Sequence, residues 1–177
     1  SVDKKLSPTV PLSKFHALIG NVTLTEVNPE IFSISIPKKM EKKMNAEFKN
    51  ILKFSIPFVG QSNLNKSTTI RLIRNSLEQF FILFEEKDEV EEVMKQLEKY
   101  FYITEQSDAW VGIEISGESS YSCLERICPL NLSAESFSVN TAVRTLMEHL
   151  NVLIIKTNGE SFLLLSASSS AKSFLDA

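Results

Sequence analysis

The chain has little of what catalysis and cofactor capture most often need. Of its 177 residues, five are Gly, two are Cys, two are His and one is Trp. A phosphate-cradling loop needs several glycines so that backbone amides can close on the anion, and the chain has neither a G-x-G-x-x-G run nor a Walker pattern. Nucleotide capture by the usual loops is thereby excluded. His16 and His149 lie far apart, and neither has a partner at metal-ligand spacing. A zinc site would have to be assembled wholly by the fold. Cys123 and Cys128 fit neither a disulfide framework nor a C-x-x-C site, and are expected as buried thiols of a reducing compartment. No apolar run approaches the roughly 20 residues of a bilayer span, and Ser1 to Lys14 lack the apolar core of a secretory signal. A cytoplasmic chain with no membrane partner is expected. Net charge −3 argues against a phosphate-tracking surface, which depends on Lys and Arg that release counterions, so nucleic acid is not an expected partner.

What is present is enough apolar sequence, 43%, to bury a core. Residues 1–14, with Pro8 and Pro11, read as an extended arm, and 15–177 as one domain. Val22 to Val27 alternates like a half-buried strand, and Ile31 to Ile36 repeats the pattern. After Pro37, a helix is expected with Met40, Met44, Phe48, Ile51 and Leu52 on one stripe. Lys38, Lys39, Lys42 and Lys43 take its other face, toward water or an acidic partner. Ser55 to Ser67 reads as a loop. A hairpin follows, with Ile70 and Leu72 on one strand and Phe80 to Phe84 on the other, and then a helix capped by Asp88 and buried through Val90, Val93, Met94 and Leu97.

The second half runs in the same order. Strand Trp110 to Ile115 leads through Gly117 to a helix bearing Tyr121, Leu124 and Ile127, stopped at Pro129. A hairpin of Val152 to Lys156 and Phe162 to Leu165 follows, then a helix begun by Ser168 to Ser170. Phe80 aligns with Phe162 and Ile82 with Leu164 at an offset of 82, while Ile34 and Ile36 align with Ile113 and Ile115 at 79. The expected fold class is α+β: duplicated strand-helix-hairpin-helix units, about 21–101 and 103–177, forming two interlocked subdomains.

Few residues invite a chemical role. Arg144 enters an otherwise apolar strand between Val143 and Thr145, where a guanidinium needs a carboxylate or carbonyl partner. Asp108 is the candidate, as a structural tie, with an anion or folate contact as the sharper reading. Trp110 is expected as a core or interface anchor. Glu148 and His149 are adjacent before a strand and point to opposite faces, which suits a surface or interface pair better than joint catalysis. The serines from Ser166 to Ser173 read as helix caps rather than an anion nest.

Several segments together resemble the gamma-subunit family of heterotetrameric sarcosine oxidases, which is related to the folate-binding aminomethyltransferase fold of the glycine cleavage system. They are Glu105 to Trp110, Ile113 to Gly117, Ile127-Cys128-Pro129-Leu130-Asn131-Leu132, Phe137, Arg144-Thr145, Met147-Glu148-His149-Leu150 and Ser168 to Leu175. Asn140 and Asn151 stand where the family has Gly, and Asn is the residue that next best tolerates positive φ. Asn131 and Glu105 stand where it has Asp.

The resemblance implies a packing subunit without catalytic, cofactor-binding or metal residues of its own. Asp108, Trp110, Cys128, Pro129, Leu130, Asn131, Arg144, Thr145, Glu148 and His149 are then structural or interface positions. It further implies alpha, beta and delta partner subunits that hold FAD, FMN, NAD, zinc and tetrahydrofolate. Such a complex oxidises sarcosine to glycine and hydrogen peroxide and passes the one-carbon unit to tetrahydrofolate. A stand-alone folate-binding protein of the aminomethyltransferase superfamily is the alternative, although Arg126-Ile127-Cys128-Pro129 replaces its Lys-Gly-Cys-Tyr-type motif. The equivalent subunit of a related N-methyl amine oxidoreductase is another.

Overall fold

The computed structural model describes residues 21–65, 67–128, 137–147 and 150–167. The chain divides into two compact units. Pro29–Ser107 forms an inserted unit, and the described residues up to Asn28 together with the described residues after Ser107 form a discontinuous one. Each is built on a five-stranded sheet whose pairs are all antiparallel.

The inserted unit runs β2 (Glu30–Ser35), α1 (Glu41–Leu52), β3 (Gln61–Asn65), β4 (Ile70–Arg74), β5 (Gln79–Phe84), α2 (Val90–Leu97) and β6 (Ile103–Glu105). Its sheet order is β3-β4-β5-β2-β6. Alternation along β2, β4 and β5 turns Ile34, Ile70, Leu72, Phe80 and Ile82 to one face, where Met44, Phe48 and Leu52 of α1 and Met94 and Leu97 of α2 cover them. Phe48 meets Phe80 edge-to-face at 5.4 Å between ring centres, so truncating Phe48 to Ala costs about 3–5 kcal/mol. The helix ends as Lys53 takes a left-handed φ of 65° and its amide bonds Lys49.

The discontinuous unit combines β1 (Thr23–Val27) with β7 (Trp110–Ser116), α3 (Ser120–Ile127), β8 (Ala142–Met147), β9 (Leu150–Asn158) and β10 (Ser161–Ala167). Its sheet order is β1-β7-β10-β9-β8, which is the inserted unit's order read from the other end. Its core joins Val22 and Leu24 with Ile113, Ile115, Cys123, Leu124, Val152, Ile154, Phe162 and Leu164. Gly117 closes β7 at φ +117°, where a Cβ would overlap the carbonyl oxygen of Asn21.

The hairpin registers repeat. Ile70 faces Phe84 and Leu72 faces Ile82 in one sheet; Val152 faces Ser166 and Ile154 faces Leu164 in the other, each residue 82 further along. The neighbouring strand corrects the second offset read from sequence. Phe80 pairs with Ile34 and Phe162 with Ile115, so Ile34 corresponds to Ile115 rather than Ile113. A shift of two residues keeps the same face inward, and apolar alternation cannot distinguish the two registers.

The two opening strands enter different sheets: β1 joins β7, while β2 lies between β5 and β6. Two expectations also change. The expected loop contains β3, whose Gln-Ser-Asn-Leu-Asn sequence has no apolar alternation because it is an edge strand buried only at Ser62. Asp88 does not cap α2. It lies in a 3-10 turn, Lys87–Glu89, and the cap position falls to Glu89, which makes no side-chain capping bond. The stop at Pro129, the arm at 1–14 and the helix after Ser168 lie outside the described residues.

Candidate functional site

The most highly organised polar site lies in the inserted unit, at the end of β4. Alternation puts Arg74 on the face of Ile70 and Leu72, and it is 1% exposed. All five of its N–H donors are used. The two terminal nitrogens donate to both carboxylate oxygens of Glu41, at 2.9 and 2.7 Å. They also donate to the carbonyls of Pro57, at 3.2 Å, and Leu77, at 3.1 Å, while Nε donates to the carbonyl of Ser76 at 3.0 Å. One guanidinium thus ties together the first turn of α1, the α1–β3 connection and the β4–β5 turn. Glu41 is half exposed, yet its carboxyl is held below its ordinary range, chiefly by the hydrogen bonds from Arg74; burial opposes this, and the charge of Arg74 adds a lesser lowering.

Asparagines fasten the same connection. The Asn45 carbonyl oxygen accepts from the Ile56 amide at 3.0 Å, and Asn63 donates to the Ser55 carbonyl at 2.8 Å. Asn65 donates to the Leu52 carbonyl at the end of α1. Between α1, this connection and β3 lies a cleft of about 450 Å³, lined by Glu41, Lys42, Asn45, Pro57, Phe58 and Asn63 among others. The held backbone displays apolar side chains to solvent, with Phe58 75% and Leu77 70% exposed and Val59 and Met40 less so. Chemically this arrangement suits binding. Its carboxylate is engaged on both oxygens, and no nucleophile–base pair lines the cleft.

Sequence reasoning passed over Arg74, although the signal was available in Ile70-Arg71-Leu72-Ile73-Arg74, an apolar strand carrying two guanidiniums. Arg71 is buried as well and donates to Ser62 Oγ at 2.8 Å. The same argument applied to Arg144 fails. Arg144 is exposed on edge strand β8, and Asp108 is exposed in the 3-10 turn before β7. Strands β10 and β9 separate β7 from β8, a gap of about 14 Å at the usual strand spacing, so no Asp108–Arg144 tie forms.

The remaining candidates do not converge. Trp110 opens β7 opposite Ala167 and is half-buried. Thr145 is buried opposite Val152. Cys123 within α3 and Cys128 at its C-terminal cap are buried free thiols, and burial pushes the Cys123 thiol up, opposed by the charge of Arg126. Pro129, Leu130, Asn131, Glu148 and His149 lie outside the described residues. Asn140 has φ 73°, the left-handed backbone that the resemblance leads one to expect there, whereas Asn151, for which the same is expected, is ordinary strand in β9. Among the described residues, no three His, Cys, Asp or Glu side chains gather as a metal site, and no helix is long and apolar enough to cross a membrane.

No protein-family profile matches the sequence, and no curated protein matches it. Solved structures share its fold. A chain of the heterotetrameric sarcosine oxidase from Corynebacterium sp. U-96, in complex with pyrrole 2-carboxylate, superposes with a TM-score of 0.73 at 18% identity. The match covers 95% of this chain and 89% of that one. The glycine cleavage system aminomethyltransferase T from Bartonella henselae superposes with a TM-score of 0.59 at 14% identity, over 98% of this chain and 47% of its own. This chain therefore spans about half the length of that enzyme.

Proposed function

We propose that this chain is the gamma-type, non-catalytic packing subunit of a heterotetrameric sarcosine oxidase, and that its two like-ordered sheets descend from a duplication. Coverage is the observation that supports this most. The match is nearly end to end with a chain of a heterotetrameric oxidase, but reaches only about half of the aminomethyltransferase chain. In this reading alpha, beta and delta subunits carry FAD, FMN, NAD, zinc and tetrahydrofolate. The assembly oxidises sarcosine to glycine and hydrogen peroxide, and the one-carbon unit passes to tetrahydrofolate on a partner.

The residues of the cleft do not fit a folate. A pterin presents a row of N–H donors that a free carboxylate would clamp, and Glu41, the carboxylate lining this cleft, is already clamped by Arg74. This cleft is therefore not proposed as a folate site, and the stand-alone folate-binding protein is the alternative that a binding measurement separates. Titration calorimetry of the isolated chain with tetrahydrofolate tests this directly. No binding heat is expected, and micromolar affinity would overturn the packing role in favour of the folate-binding one.

A further inference from the structure

The surface around Arg74 has a specific composition. Met40, Phe58 and Leu77 each sit on, or next to, a residue bonded to the Arg74 guanidinium, so their backbones are fixed relative to one another. Exposed aromatic and aliphatic side chains on a rigid frame lose little entropy when covered, which is how interface anchors behave. Lys38, Lys39, Lys42 and Lys43 surround Met40 and are all exposed. The acid among them, Glu41, is neutralised by Arg74, which leaves a local positive excess on a chain of net charge −3. Glu78 beside Leu77 is the acidic residue at the other rim.

We infer that this face of the inserted unit docks a protein segment in which an aromatic or aliphatic anchor is flanked by carboxylates. The inference rests on the reading of the chain as a packing subunit, and identifies the face that meets a partner. The anchor covers Phe58 at the cleft and Leu77 on the β4–β5 turn, and the carboxylates meet Lys38 and Lys42. An anionic membrane would also attract lysines beside apolar side chains. The cleft favours a protein segment: Asn45, Gln61 and Asn63 line it, and a peptide can meet polar groups that hydrocarbon would strand.

The test coexpresses the full chain with the alpha, beta and delta subunits and measures its incorporation and dissociation at rising salt. Two variants are compared with the unaltered chain, Phe58→Ser/Leu77→Ser and Lys38→Glu/Lys42→Glu. Their side chains are exposed, so melting temperatures should stay within a few degrees of the parent. Each variant should associate at least tenfold more weakly, and the charge reversal should also flatten the salt dependence. Lys95→Glu, on exposed α2 sequence, should associate like the parent. If the unaltered chain joins the complex and both variants join equally well, the docking face is wrong and the subunit reading stands. If the unaltered chain never joins, both fall. Sedimentation with phosphatidylserine vesicles that is strong for the parent and lost in both variants would assign the face to a membrane and overturn the protein partner.

Discussion

Arg74 grips Glu41 by both carboxylate oxygens across 33 residues of sequence, from a site where the guanidinium is buried and the carboxylate half exposed. The asymmetry matters. Removing the buried member strands three carbonyls, whereas removing the exposed one leaves a cation that still holds them.

Arg74→Met should therefore destabilise the protein by about 2–4 kcal/mol, through the carbonyls of Pro57, Ser76 and Leu77 left without donors. Glu41→Gln should cost less. Urea midpoints of the two variants check the order, and equal losses would mean the carbonyl bonds contribute little.

Stability should also depend on pH through this pair. Because the Glu41 carboxyl is held below its ordinary value of 4.5 in the folded chain, its contribution is complete above that value and is lost as pH falls through the lower folded value. The gap in urea midpoint between the parent and Glu41→Gln should thus be constant from pH 7 to about 5 and close on further acidification. A gap that widened in acid would contradict the assignment.

Arg144→Ala should change stability by no more than about 0.5 kcal/mol, since the side chain is exposed on an edge strand and makes no tie to Asp108. A loss of several degrees in melting temperature would show that Arg144 has a structural role after all.

Cys123 and Cys128 should resist thiol reagents in the folded chain and react together on unfolding, because both are buried and burial disfavours the Cys123 thiolate. Fast labelling of either in native buffer would contradict the packing.

Apolar periodicity exposed most of this fold in the sequence. The stripes of α1 and α2, both hairpins and the offset of 82 between them are all visible, because alternation and helical spacing directly record which side faces the core. Strand partnership was not visible. Val22 to Val27 and Ile31 to Ile36 look like a consecutive pair, and nothing local says that β1 crosses to the sheet of β7. β3 was hidden because an edge strand buried at a single serine needs no apolar pattern. The site was half legible. The rule that a guanidinium in an apolar strand must be paired was sound, but it was applied to Arg144, whose strand proved to be an edge, and not to Arg74, whose alternation faces the helices. Of the two asparagines expected at positive φ, Asn140 has it, at 73°, and Asn151 does not.

Native mass spectrometry of the flavoenzyme purified through a tag on its alpha subunit, with all four chains coexpressed, decides whether this chain is a packing subunit. One copy of this chain is expected in each complex, with no tetrahydrofolate or flavin retained by the chain once it is released. A complex that assembles with its full set of cofactors while this chain stays unbound in solution would contradict that role.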